Sequence, residues 1–220
     1  MNHYDLVVIG AGLGGCSLLS SREQLGYQGR VALVEAGRGP GGRTASRRSR
    51  TDPQWCINHG APAIRLSESL PAAVDALLDP LRREAILQRI VNDEVAIDAN
   101  GQIVAVDPTF SSQGDWWTGS PVMASVCEAL LARSSNTLAS HFGTRVRWLN
   151  RTPDHWMLSD ESKGWQLQAK RLVLSGNLLA HPRSLAMRKC DDAPLRTAVP
   201  EGEDPELDAV LTTLEASAST

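Results

Sequence analysis

Glycine spacing near the amino terminus offers the first recognisable chemistry in this chain of 220 residues. Gly10, Gly12 and Gly15 fit the pattern G-x-G-x-x-G, with Gly14 beside the last of them. This spacing permits a tight turn, lets the backbone approach a pyrophosphate closely, and lets the following helix pack on the preceding strand. Glu35 follows about 20 residues later, where a carboxylate accepts hydrogen bonds from ribose hydroxyls. These residues predict a dinucleotide-binding site.

The elements that must position these residues are visible in the same stretch. An apolar run over 6–9, directly after Asp5, and a second over 31–34 are typical of buried parallel strands. The helix that opens at the glycines would direct free N–H groups and a partial positive charge toward phosphates. This strand, turn, helix and second strand favour dinucleotide binding. The alternative, a glycine-rich turn that serves packing alone, stays open.

A second glycine-dense loop follows Glu35. Gly41 and Gly42 precede Arg43, so its guanidinium is placed to pair with a pyrophosphate. The basic run continues over residues 47–50. A run of this kind is by itself typical of a solvated surface, so the prediction of cofactor binding is confined to Arg43.

The order of these motifs resembles the flavin-dependent amine oxidase superfamily, and most closely its renalase-like branch. There the Gly-Gly-Arg motif continues into Arg-x-Ala-Thr/Ser-Arg-Arg, as residues 43–48 do here, and a strand ending Asp-His-Gly-Ala-Gln follows. This chain has Asn-His-Gly-Ala-Pro over residues 58–62, so both ends of that motif depart from the pattern. The resemblance implies FAD as cofactor, with His59, Gly60 and Ala61 passing near the flavin ring. A histidine satisfied by backbone partners at a strand end is the alternative for His59.

The resemblance also implies a fold of the α/β class. It predicts a Rossmann-like FAD-binding domain with a parallel sheet and a three-stranded antiparallel side sheet, plus a partial α+β substrate domain. Residues 1–65 and 110–176 would form the first domain, and residues 66–109 and 177–220 the partial substrate or cap domain. By the same resemblance, Val146 lies on the strand whose backbone contacts adenine.

Local patterns predict further elements. Apolar residues at helical spacing predict a helix over 66–81, and Ser120 with Pro121 predicts the start of another. Asn100-Gly101 predicts a hairpin turn. The paired Trp116 and Trp117 either line a pocket or anchor a sheet, and both interpretations stay open. Short strands are predicted over 86–91, 95–97 and 103–106, which together would form a small sheet, and over 143–149, 155–158, 165–168 and 171–176.

Composition narrows the class of partner. The net charge of −3 and the pI near 6.0 give no reason to expect nucleic acid or an anionic membrane as a partner. The four cysteines are far apart and lack metal-ligand spacing with the histidines, so free thiols and no metal are expected. The apolar stretch near the amino terminus lacks the basic residues of a secretory signal, and no apolar run is long enough to span a membrane. A cytoplasmic location is therefore expected.

Proteins of the resembled superfamily are longer and carry a late Gly-Asp-containing motif that helps to hold the flavin. The resemblance covers about the first 175 residues, and Gly114-Asp115 lies mid-chain rather than at that position. Three explanations stay open: a fragment or truncated product, one half of a two-chain enzyme, or a shortened protein that binds a nucleotide without turnover.

The leading hypothesis is an FAD-dependent oxidoreductase that moves a hydride from a small reduced nitrogen-containing substrate, an amine or a dihydronicotinamide, to the flavin, with oxygen as the expected reoxidant. The flavin carries that chemistry, which explains why no acid–base constellation stands out and why the catalytic residues are unknown. An NAD(P)-linked dehydrogenase is a second hypothesis, disfavoured by the Gly-Gly-Arg motif and the side sheet. A third is a non-catalytic nucleotide-binding protein that self-associates through an exposed apolar face.

Overall fold

A computed structural model describes residues 2–52, 54–91, 95–105, 114–134, 137–182, 185 and 189–216. Within these ranges the β-strands are β1 Asn2–Ile9, β2 Val31–Val34, β3 Ser46–Arg48, β4 Cys56–Asn58, β5 Ile64–Leu66, β6 Leu87–Arg89, β7 Ala96–Ile97, β8 Ile103–Val104, β9 Asp115–Gly119, β10 Ala139–His141, β11 Trp148–Arg151, β12 Trp156–Ser159 and β13 Gln166–Leu174. The α-helices are α1 Leu13–Gln24, α2 Ala72–Arg83, α3 Ala124–Ala132, α4 Pro194–Ala198 and α5 Pro205–Ala216. Short 3-10 helices cover Gly42–Thr44 and Asn177–Leu179.

The main sheet has six strands in the order β10-β2-β1-β13-β12-β11. The first four strands of this order are parallel to one another, and β12 and β11 continue the sheet in antiparallel pairing. All of β2 is buried, as expected of a parallel strand covered on both faces. The predicted α/β class is confirmed, with a Rossmann-like parallel sheet and a three-stranded antiparallel part.

Strand β13 belongs to both parts of this sheet. Residues 166–169 pair with β12, and residues 167–174 pair with β1. The prediction of two strands over 165–168 and 171–176 is therefore wrong. The chain runs through without a turn because Ala169 is buried in the core and Lys170 reaches the Asp5 carboxylate of β1 at 2.7 Å.

Adjacent residues of β1 point to opposite faces of the sheet, and each face has its own core. On the first face, Val8 and Leu33 pack against the helices α1, α2 and α3 through Leu19, Leu81 and Leu130. These three leucines are completely buried. Burying a side chain of that size stabilises the fold by roughly 2 kcal/mol. This core therefore fixes α1 against the strand that precedes the glycine turn.

The second face of the sheet, to which the antiparallel strands also contribute, is covered by the carboxy-terminal helices. Val7 and Val34 share this core with Leu158 of β12, Leu195 of α4 and Leu211 of α5. The segment after β13 thus packs on the main sheet, although its sequence pattern assigned it to the cap domain. The division of the chain into two domains stays a prediction.

A separate three-stranded antiparallel sheet, in the order β5-β9-β6, packs beneath α2. The predicted start of this helix at residue 66 is wrong, because Leu66 lies in β5. The helix begins at Ala72, directly after Pro71. The prediction that the strands over 86–106 form one sheet is wrong, since β6 pairs with β9 while β7 pairs with β8. The hairpin turn is confirmed: the Asp98 carboxylate accepts backbone N–H bonds from Asn100 and Gln102, both at 2.8 Å. Residue 106 lies outside the described ranges.

Across the described ranges, every helix is too short or too polar to cross a lipid bilayer.

The first turn of α1 yields a prediction about two neighbouring glycines. A Cβ atom on Gly15 would lie 2.1 Å from the Gly10 carbonyl oxygen, whereas a Cβ on Gly14 meets nothing within 4 Å. Gly14→Ala should raise the free energy of unfolding by up to about 1 kcal/mol, because alanine is the better helix former. Gly15→Ala should lower it by roughly 1–3 kcal/mol through overpacking. Urea unfolding measures both, and equal stabilities would contradict this packing.

Candidate dinucleotide-binding site

The turn between β1 and α1 lies at the carboxyl ends of the parallel strands, where ligands bind in folds of this type. Gly10 has a φ of +106°, a conformation that L side chains rarely adopt. Ser175, just after β13, donates from its hydroxyl to the Gly10 carbonyl at 2.8 Å. The turn is therefore held from the neighbouring strand, and Gly15 is packed directly beneath it.

The second glycine loop lies against this turn through backbone contacts. The Gly41 N–H donates to the Ala11 carbonyl at 2.8 Å. A Cβ on Gly42 would lie 2.9 Å from the Gly12 Cα, and Gly41 and Gly42 have φ values of +140° and +52°. Only glycine satisfies both the conformation and the space at Gly42. The structure thus brings the two predicted glycine motifs together.

Glu35 fastens the glycine turn to the end of β2. One carboxylate oxygen accepts the Ala11 N–H at 2.7 Å, and the other accepts the Gly37 N–H at 2.6 Å. A carboxylate has about four lone-pair sites, so these two bonds leave acceptor capacity for ribose hydroxyls. Glu35 therefore has a second task that its sequence position did not reveal, which is to hold the turn itself.

The amino terminus of α1 completes the anion-binding side of the site. The first N–H groups of an α-helix have no acceptor within the helix, and here they are those of Leu13, Gly14 and Gly15. Gly14 is exposed. Arg43 is also exposed, and within the described part of the chain its guanidinium has no hydrogen bond or ion pair. These donors form a group suited to a pyrophosphate.

The predicted flavin-side segment lies next to Arg43. The Ala61 N–H donates to the Arg43 carbonyl at 2.8 Å, and the N–H groups of His59 and Gly60 donate to the Ala45 carbonyl, both at 3.0 Å. A Cβ on Gly60 would lie 2.0 Å from the Arg43 carbonyl oxygen, so no larger residue fits there. The His59 imidazole is exposed and makes no hydrogen bond with the described residues. The segment is therefore placed by its backbone, and its side chains face outward.

Val146 reaches the site through the chain that precedes it. The Thr144 N–H donates to the Glu35 carbonyl at 3.0 Å, and the Gly143 N–H donates to the Gly37 carbonyl at 2.7 Å. Val146 itself is buried in the second core. It precedes β11, which begins at Trp148, so the prediction that it lies within a strand is wrong. The segment that leads to Val146 is held by the backbone bonds of Gly143 and Thr144 to Gly37 and Glu35.

Asn58 and Ser46, which belong to the motifs of the superfamily resemblance, hold the amino terminus of α3. The Asn58 side-chain oxygen accepts the Met123 N–H at 2.8 Å and the Ser46 hydroxyl at 3.0 Å. The Ser46 oxygen in turn accepts the Ala124 N–H at 3.1 Å. The predicted start of this helix at Ser120 and Pro121 is wrong, because these tertiary side chains satisfy the helix N–H groups instead.

Two buried cysteines connect the glycine loops to the helices. The Cys16 thiol donates to the Ala11 carbonyl at 3.3 Å, and the Cys127 sulfur lies 3.5 Å from the Thr44 hydroxyl, which donates to the Gly41 carbonyl. A hydrogen bond with Cys127, reinforced by burial, raises the pKa of Cys16. The Cys16 thiol therefore stays protonated and supports the turn rather than acting as a nucleophile. All four cysteines are free thiols.

His141 ends β10 beside the site. Its carbonyl accepts the Glu35 N–H at 2.9 Å, and its ring meets Trp165 edge-on with centroids 5.5 Å apart. Burial lowers the pKa of His141, so the imidazole is neutral at pH 7. Among the described residues, no three His, Cys, Asp or Glu side chains converge as metal ligands would.

Sequence patterns identified the glycines, Glu35 and Arg43, but they missed several supporting residues. Those residues contribute through tertiary contacts: Ala11, Ser46, Cys127, His141 and Ser175. Ser46 stood in the motif over residues 43–48, but neither that position nor Cys127 carried a signal of its partner. Ser175 lay within the predicted strand over 171–176, and nothing there indicated its bond to Gly10.

Comparison with known proteins agrees with this geometry. Residues 8–80 match the NAD(P)-binding Rossmann-like domain family. No curated protein matches the sequence. Solved structures of similar fold include a putrescine oxidase bound to putrescine, with a TM-score of 0.54 and 12% identity over 84% of this chain and 60% of that one. Two tetracycline destructases each give a TM-score of 0.50, at 16% identity over 91% of this chain and 42% of the other, and at 14% over 78% and 37%.

The fold and the matched segment define the class: the chain has a mixed α/β fold with a Rossmann-like domain, and its residues 8–80 are similar to the NAD(P)-binding Rossmann-like domain family. The chain spans 37–60% of the length of these proteins. At identities of 12–16% the similarity concerns the fold alone.

Two substitutions at Asn58 separate the effect of hydrogen bonding on stability from the effect of charge. Asn58→Ala should lower the free energy of unfolding by roughly 1–3 kcal/mol, because two donors lose their acceptor. Asn58→Asp should keep stability or raise it, since both bonds need only an oxygen acceptor and a carboxylate is favourable at a helix amino terminus. Urea unfolding at pH 7 measures both variants. Asp and Ala variants of equal stability would show that Asn58 does not hold α3.

Proposed function

We propose that the protein is an FAD-dependent oxidoreductase that moves a hydride from a small reduced nitrogen-containing substrate to the flavin. The observation that carries this proposal is the contact between the two glycine loops, with the Glu35 carboxylate bonded to the Ala11 and Gly37 N–H groups. The similarity of fold to an oxidase of a diamine supports the same reaction class.

The residues of the site fit this cofactor. The free N–H groups at the start of α1 and the exposed Arg43 would hold the pyrophosphate, and Glu35 would accept hydrogen bonds from the ribose of the adenosine half. The backbone leading to Val146 lies beside Glu35, as an adenine contact requires. On the other side, residues 59–61 adjoin Arg43 and would face the flavin ring. The proposed contacts to adenine, ribose, pyrophosphate and flavin ring would follow one another in the order that these groups have in FAD.

Several observations favour FAD over a nicotinamide dinucleotide as the resident cofactor. The second glycine loop and Arg43 extend the site beyond the single glycine turn of a simple dinucleotide fold. The antiparallel strands β11 and β12 then extend the main sheet beyond β13. Both features belong to the superfamily that the motifs resemble.

When bound, FAD supplies the hydride-accepting chemistry, so the protein needs to bind, orient and exclude water rather than provide a strong acid or base. Arg43 and the helix terminus would neutralise the pyrophosphate charge. Gly60 lets the flavin-side segment approach Arg43 closely, and the outward-facing His59 would stand where the ring passes. The Cys16 thiol takes no part beyond its bond to Ala11.

A second candidate is a nucleotide-binding protein that reaches activity only with another polypeptide, or that has none. One observation favours it. The β7–β8 hairpin carries exposed apolar side chains, with Ile97 at 66% and Ile103 at 74% of full exposure. A second chain, or a second copy of this one, would cover that hairpin and complete the site.

Glu35 yields the prediction that tests cofactor binding. Glu35→Ala should weaken FAD binding by roughly 5- to 150-fold, the equivalent of about 1–3 kcal/mol, because the variant loses the ribose acceptor and loosens the glycine turn. Glu35→Gln should also weaken it, since one amide end is a donor that faces a backbone N–H. Quenching of flavin fluorescence on titration gives each dissociation constant.

Glu201→Ala removes the same charge at an exposed position outside the site and is the matched control. It should bind FAD like the unmodified protein. FAD affinity that is unchanged in Glu35→Ala would remove Glu35 from the site. A wild-type protein that binds NAD⁺ more tightly than FAD would overturn the choice of cofactor.

A further inference from the structure

The two-stranded sheet of β3 and β4 uses one face to hold α3 and turns the other face outward. On the inward face, Ser46 and Asn58 are bonded to each other and to the amino terminus of α3. Arg47 is opposite Ile57 in the register of the two strands, so both belong to the outward face. Ile57 is 46% exposed, and Trp55, two positions before it, is 63% exposed. The outward face of β3–β4 therefore presents large apolar side chains to solvent.

The segment that forms this face is also cationic. Of residues 43–61, four are arginines, and Asp52 is the one carboxylate among them. Arg47 is exposed, and its guanidinium has no hydrogen bond or ion pair within the described part of the chain. Tryptophan and arginine are the side chains most enriched among those that carry the binding energy of protein interfaces. The face thus fits a partner surface that is both apolar and acidic.

A surface of that chemistry lies near the carboxy terminus of the same chain. Residues 197–220 contain no lysine or arginine, and most of their carboxylates lie around the start of α5. Asp204 and Asp208 are paired with arginines inside the fold. Glu203 and Glu206 are exposed, and their carboxylates have no hydrogen bond or ion pair with the described residues. These two negative charges are therefore available to a partner.

An exposed apolar side chain accompanies these carboxylates. Val210 is four positions after Glu206, so the two are neighbours on the surface of α5, and Val210 is 63% exposed. A different side of the helix packs into the second core through Leu207 and Leu211. The outward side of α5 is therefore apolar and acidic, whereas the outward face of β3–β4 is apolar and basic.

We propose that the outward face of β3–β4 docks on the start of α5 in a second copy of this chain. Arg47 pairs with Glu206 across the contact, while Trp55 and Ile57 cover Val210. Both complementary surfaces are present on every molecule, which is why the partner is a second copy. The contact closes into a dimer when the two copies exchange it reciprocally. The proposal goes beyond the oxidoreductase function and does not depend on a bound cofactor.

Sedimentation velocity of the full chain tests this association. The sedimentation coefficient should rise with protein concentration over about 1–100 µM, because association follows mass action. Raising the NaCl concentration from roughly 50 to 500 mM should weaken the association, because salt screens exposed charges.

Charge reversal assigns the association to the two surfaces. Arg47→Glu and Glu206→Arg should each raise the dissociation constant by about tenfold or more, since like charges then face each other. An equimolar mixture of the two variants should restore association, because each reversed charge then meets an opposite charge on the other variant. That restoration also separates a charge effect from misfolding of either variant. Arg171→Glu and Glu68→Arg reverse exposed charges outside both surfaces and are the matched controls.

Three results would overturn the proposal. The first is a wild-type chain that stays monomeric over the whole concentration range. The second is self-association of Arg47→Glu that is as tight as that of the wild-type chain. The third is a mixture of the two variants that associates no better than either variant alone. The second and third results would assign self-association to another surface, such as the exposed β7–β8 hairpin.

Discussion

The structure depends on a close approach of two backbones for which only glycine leaves enough room. A Cβ atom would meet the Gly10 carbonyl at 2.1 Å from Gly15, and the Gly12 Cα at 2.9 Å from Gly42. Because the first turn of α1 sits directly beneath the turn after β1, its free N–H groups open at the carboxyl edge of the sheet. Glu35 then locks this arrangement by accepting N–H bonds from both loops. These contacts place the glycine turn, the second glycine loop and Glu35 relative to one another.

Hydrogen bonds connect this centre to the neighbouring β5-β9-β6 sheet. Residues 59–61 are bonded to residues 43–45, and Pro62 accepts the Thr118 hydroxyl of the neighbouring sheet. One face of that sheet packs into the helical core, so the other face is left to carry Arg65 and Trp116. The contacts of the glycine loops are in this way linked to the β5-β9-β6 sheet.

The parts of the fold that depend on local pattern could be predicted from the sequence. Strand β1, the glycine turn and helix α1 follow from an apolar run and from spacing that serves one known geometry. The parts that depend on partners could not. Nothing local to residues 165–176 shows that they form one strand, because that depends on pairing with β1 on one side and β12 on the other. In the same way, Asn58 holds a helix 65 positions away in the sequence.

The absorbance spectrum of the purified 220-residue protein, recorded after incubation with FAD and desalting, tests the central claim most directly. The two glycine loops, Glu35 and Arg43 are held by bonds within this chain, so the account predicts retained flavin bands near roughly 375 and 450 nm. It also predicts that Glu35→Ala loses those bands. A colourless wild-type protein would contradict the claim that this chain alone holds the cofactor. Retention that is equal in the variant would contradict the role of Glu35.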